Sequence, residues 1–292
     1  MNDNYNIYRL SSTRILAENH KNKGHKKERI VLFGGLRYDM EKDDLIAESR
    51  SRNYPASSNK YRSFEDKKYR YGVNYLPGTL HEVEQISQNF PEIPLLLTGY
   101  SGTEESFRSL SGTPIDIIHL ATHGFFWSKE EIDKKKEVSF LKITGQQPEE
   151  DFALLRSGLF FSGANLGLKG ENLPDDVEDG VLTALELSNM NLGNIDMVVM
   201  SACESGLGET SGEGVFGLQR GFKLAGANTL MMSLWKVDDE ATQYLMTEFY
   251  KNYIGGKTKR EALKLALDSL RKDPIFSDPE YWASFILLDA LN

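Results

Sequence analysis

Residues 195–209 read IDMVVMSACESGLGE, an apolar run that breaks into small residues and glycines at Cys203, the single cysteine of the chain. Unbroken rather than alternating hydrophobicity marks a strand covered on both faces, as in a parallel sheet with helices above and below. Similar runs occur in RIVLFGG (29–35), IPLLLTGY (93–100), IDIIHLATHG (115–124), NTLMMSLW (228–235) and SFILLDA (284–290). Helix-period segments separate them. Thr79 and Glu82 have capping-box spacing after the turn residues Pro77 and Gly78, and Thr258 and Glu261 repeat it. A third helix is expected from Asp239, with Ala241, Leu245, Phe249 and Tyr253 on one face and Gly255 and Gly256 ending it. The pattern predicts an α/β sandwich around a mostly parallel sheet of about six strands.

Composition narrows the function classes. A chain of 292 residues with 40% apolar content can bury a full core. No apolar run reaches the ~18 residues of a membrane span, and MNDNYNIYRL (1–10) lacks the basic and apolar regions of an export signal. One cysteine excludes an internal disulfide and any multi-cysteine metal site, which fits a reducing compartment, the cytoplasm by default. A net charge of −9 argues against general nucleic-acid binding, and the basic cluster at 20–29 reads as a solvated linker before the first strand.

Two polar stretches, Glu48 to Tyr75 and much of Trp127 to Gly180, are too long and charged for ordinary connections. With no linker between two cores, the expected organisation is a 28-residue N-terminal extension followed by one domain, 29–292, with insertions around 48–75 and 127–180.

Ligands of open α/β sheets sit beyond the carboxyl ends of the strands. Two runs end in reactive residues: IDIIHLATHG delivers His123 and Gly124, and IDMVVMSAC delivers Cys203. On adjacent strands they supply a thiol that attacks as thiolate and an imidazole that takes its proton. The amides of Gly124 and Cys203 are the candidate oxyanion hole, glycine leaving room for a substrate carbonyl. A buried cysteine at a strand end is more often packing, so the pairing with His123 carries the weight here.

Other readings fit less well. His119 and His123 are four apart, but on a strand that spacing separates the rings by about 13 Å, and no further ligand is evident; no metal or other cofactor is expected. His119 reads as an interior histidine supporting the site. GEGVFG (212–217) matches the dinucleotide fingerprint, but residues 204–211 hold it away from the strand end, where the first glycine should turn the chain.

The motifs IIHLATHGFF, SGLFFSGAN, EDGVLTALELSNMNL, MVVMSACESGLGE, SGEGVFGLQRGFKLAGANTLMMSLWKVDDEAT and YWASFILLD together resemble the CHAT domain family, related to caspases and separases. The resemblance runs from about Leu76 to the C-terminus, with a weaker match back to Ile30. It implies a caspase-like α/β/α sandwich and a cysteine endopeptidase with the dyad His123 and Cys203, acting on a protein or peptide substrate. Family members often carry N-terminal TPR repeats, so this chain is expected to be an excised domain that a partner or upstream TPR region activates. The spacing of 80 residues from His123 to Cys203 is wider than in many relatives, the excess falling after Trp127. The alternative is a catalytically silent signalling or scaffold module. Trp235, Asp238 and Asp239 are the expected substrate-pocket residues, their acidity favouring a basic residue before the scissile bond, although either aspartate can instead cap the following helix.

Overall fold

The computed structural model describes residues 8–17, 29–51, 71–126, 154–201, 213–235 and 237–291. Among them, the six apolar runs form one sheet of β1 (Ile30–Leu36), β2 (Leu95–Gly99), β3 (Ile117–Leu120), β7 (Met197–Met200), β8 (Thr229–Ser233) and β9 (Phe285–Leu288). Its order is β2-β1-β3-β7-β8-β9, parallel except for β9, which runs antiparallel to β8. A second, antiparallel sheet joins β4 (Gly124–Phe126), β5 (Ser157–Phe160) and β6 (Val181–Thr183). Within the span 127–180, read from its polarity as an insertion, the described residues include β5 and the short helix α4 (Ala164–Leu168).

Both faces of the main sheet are covered, which explains the unbroken apolar runs. Side chains alternate between two cores: Val31 and Phe33 of β1 and Val198 and Met200 of β7 enter one, Leu32 and Val199 the other. The first core packs against the second sheet and against α3 (Glu104–Arg108), α5 (Ala184–Ser188) and α6 (Glu213–Leu224), through Phe107, Leu187 and Phe222. The second packs against α2 (Pro77–Ser87), α7 (Asp239–Ile254) and α8 (Lys259–Lys272), through Val83, Phe249 and Ala266. Each fully buried aliphatic or aromatic side chain contributes about 1.5–3 kcal/mol. α1 (Lys42–Ser51) and α9 (Pro279–Trp282) complete the described helices. None is long and apolar enough to cross a membrane.

The helix signals were realised at two of three places. Thr258 and Glu261 form the expected capping box of α8, and Asp238 caps α7 by accepting from the amides of Glu240 and Ala241. At α2 the box does not form: the helix starts at Pro77, and the Thr79 hydroxyl instead donates to the Leu76 carbonyl and accepts from the Gly35 amide. Glu82 is thereby left for a different role.

On the opposite face, buried acids gather around one guanidinium. Arg108 bridges Glu104 and Glu186 at 2.8 and 2.9 Å and lies 3.7 Å from Glu178. Burial raises the Glu186 carboxyl to about 7 against the pull of Arg108 and the Thr183 amide, with Asp179 adding to the rise, and it raises Glu104 well above the usual carboxylate range. Between the unfolded value of 4.5 and the folded value, the native state holds protons that the unfolded chain has lost. This contribution to stability is complete below the unfolded value and lost as pH rises through about 7. The urea midpoint is therefore expected to fall between about pH 5 and pH 8. Glu186→Gln, which keeps a capping acceptor, should flatten that slope; an unchanged slope would contradict the assignment.

Candidate active site

The two reactive segments leave adjacent strands in matching register. β3 and β7 pair in parallel with Leu120 opposite Met200, and the Ser201 amide donates to the Leu120 carbonyl at 2.9 Å. In the sequence, His123 and Cys203 each follow these paired residues by three positions, and neighbouring strands lie about 4.8 Å apart. Cys203 and its amide lie outside the described residues, as do 202–212, which include the first glycine of GEGVFG.

His123 is 5% exposed and held from several sides. Its ring Nε2 lies 2.8 Å from the Asn74 carbonyl oxygen. A carbonyl only accepts, so Nε2 carries the proton and Nδ1 holds the lone pair of the neutral ring. The Asn74 carbonyl is positioned from α4, where Asn165 accepts from the Val73 amide at 2.7 Å and donates to the Val73 carbonyl at 3.1 Å. Gly72, at φ +78°, passes so close that a Cβ there would lie 2.6 Å from the Asn165 side chain. The backbone of His123 is fixed as well: its amide donates to the Tyr38 hydroxyl, which donates to Thr122 Oγ1, which donates to the Phe160 carbonyl. The Tyr38 and His123 rings sit 5.1 Å apart. Gly124 opens β4, opposite Leu159 of β5.

Below the strand ends runs a buried polar chain. Glu82, from α2, accepts at one oxygen from His119 Nε2 and at the other from the Ser201 hydroxyl, both at 3.0 Å. A carboxylate accepts, so Nε2 of His119 is protonated and Nδ1 can accept from the Tyr250 hydroxyl, 3.3 Å away. His119 is thus a fully buried interior residue with a partner at each ring nitrogen. Glu82 ties α2 to β3 and to the residue two before Cys203.

A cavity of about 220 Å³ opens between these elements, lined in part by His123, Ser201, Glu82, Asp238 and Asp239. Both aspartates expected in a substrate pocket thus face the same space as the histidine. Trp235 does not line it; its indole N–H donates to the Glu280 carbonyl at 3.2 Å. Sequence reading missed Glu82, Asn165, Tyr38 and the Asn74 carbonyl. Only Glu82 left a trace, in spacing that suggested a cap.

The family model for the CHAT domain matches residues 3–290. Tetratricopeptide repeat protein 28 of Homo sapiens is 29% identical over 225 residues, 73% of this chain and 8% of that protein. The Mus musculus protein of the same name is 30% identical over 108 residues, 37% of this chain and 4% of its own length. The chain therefore corresponds to a small part of each of these relatives.

Proposed function

Because the chain belongs to the CHAT domain family, which is related to cysteine peptidases, we propose that it is a cysteine endopeptidase working through His123 and Cys203. The observation that carries the reading is the hydrogen bond from His123 Nε2 to the Asn74 carbonyl. It commits the ring to one tautomer, with Nδ1 as the base.

In the proposed cycle, Nδ1 takes the thiol proton as Cys203 Sγ bonds to the scissile carbonyl carbon. The Asn74 carbonyl stabilises the resulting imidazolium through its bond to Nε2. The amides of Gly124 and Cys203 receive the oxyanion. Nδ1 then gives its proton to the departing amine, leaving a thioester, which water hydrolyses with His123 again as base. No metal or other cofactor enters these steps.

The relatives' name adds a regulatory element to the proposal. Proteins named for tetratricopeptide repeats are similar to this chain over a small part of their length, so a repeat region or a separate regulatory protein is the proposed activator. Turnover of a peptide library by the wild-type protein, lost in Cys203→Ala, would support the reading. A folded protein that cleaves no peptide, with or without a repeat region supplied, would favour the silent signalling module.

A further inference from the structure

We infer that the cavity beside His123 receives a positively charged side chain, so that the bonds cut at this site follow lysine or arginine; the inference rests on the peptidase reading above. Three properties of the cavity support it. It opens onto His123 and onto Ser201, two residues before the proposed nucleophile, and so lies within reach of a side chain flanking the bond they would cut. Its volume of about 220 Å³ is below the ~300–1,000 Å³ typical of small-molecule pockets and suits a single long side chain. Its described lining carries the carboxylates of Glu82, Asp238 and Asp239 and no lysine or arginine.

The three acids do not contribute equally. One oxygen of Asp238 caps α7, whose N-terminal partial charge offsets the carboxylate. Glu82 is 3% exposed, and each of its oxygens already accepts one hydrogen bond, from His119 and from Ser201. Each carboxylate oxygen has a second lone pair, so Glu82 retains capacity for a further donor. Asp239, exposed at the start of α7, stands at the rim. An entering ammonium or guanidinium meets Asp239 first and Glu82 further in, while Leu76 and Val237 provide apolar wall for its methylene stem. An acidic side chain would meet like charge, and an apolar one would strip water from carboxylates without replacing it.

The test uses the full chain and a set of fluorogenic peptides that differ only in arginine, lysine, methionine or aspartate before the cleaved bond. The arginine and lysine peptides should exceed the other two by about 10²-fold or more in kcat/KM, a discrimination typical of charge pairing in a desolvated pocket. Asp239→Asn should lower the arginine value about tenfold relative to the methionine value. Cleavage after methionine or aspartate at equal or higher rates overturns the inference while leaving the peptidase intact. If no peptide is cut, with or without a tetratricopeptide-repeat region supplied, the peptidase reading fails, and the charge preference is decided by binding. Cys203→Ala protein is then titrated with acetyl-arginine amide and acetyl-methionine amide, following its NMR spectrum. Tighter binding of the arginine compound, weakened by Asp239→Asn, supports a cation pocket; equal binding of the two overturns it.

Discussion

His123→Ala is expected to lower kcat/KM for peptide cleavage by about 10²–10⁴-fold, the range associated with loss of a general acid–base. The effect should fall on kcat, because in the proposed cycle the imidazole acts on protons in flight rather than on substrate binding. The Nε2 bond to Asn74 and the bracing of the His123 backbone by Tyr38, Thr122 and Phe160 show why it should be large: the ring is preorganised in one orientation, so little of its contribution is spent on finding it. The backbone latch does not use the imidazole, and the variant should keep its fold. Added imidazole should then restore part of the rate. An equal loss in KM with kcat intact would instead make His123 a binding residue.

Glu82→Ala is expected to destabilise the protein by about 3–5 kcal/mol, as read from the urea midpoint. The substitution removes a carboxylate that receives two buried donors on two strands, leaving the His119 ring and the Ser201 hydroxyl without that acceptor. Losing a hydrogen-bond partner inside a core costs the desolvation of the group left behind, about 1–3 kcal/mol each. Glu82→Gln offers one acceptor oxygen and should cost roughly half as much. Any cysteine-dependent turnover should fall more steeply than the folded fraction in Glu82→Ala, since Ser201 precedes Cys203 by two residues. A change below about 1 kcal/mol would mean that the polar chain is not a unit.

The main sheet was legible because its strands are covered on both faces. MVVM at 197–200 has no polar alternation to confuse it with a surface strand, and all six such runs became neighbours in one sheet. The second sheet was not legible: GFF, SGLF and VLT are too short to show a period, and their stability comes from contacts made after folding. Thr79 and Glu82 illustrate a local signal overridden by tertiary structure. Their spacing suits a capping box, but the hydroxyl is taken by the Gly35 amide and the carboxylate turns inward to His119 and Ser201. The Asn74 carbonyl was invisible for another reason, since a backbone oxygen leaves no mark in residue type. Its placement depends on Asn165, which lies 91 positions further along the chain. Trp235 sits next to the right loop, yet its N–H is committed to Glu280, and proximity in sequence did not bring it into the cavity.

The central claim, a working pair of His123 and Cys203, is tested most directly by covalent labelling. Wild type, Cys203→Ala and His123→Ala would be treated with peptidyl acyloxymethyl ketones that vary in the residue before the warhead, and intact masses recorded. A single adduct on wild type, absent in Cys203→Ala and strongly slowed in His123→Ala, is the predicted result. Folded wild type that takes no adduct from any probe, or labelling that proceeds equally without His123, would contradict it.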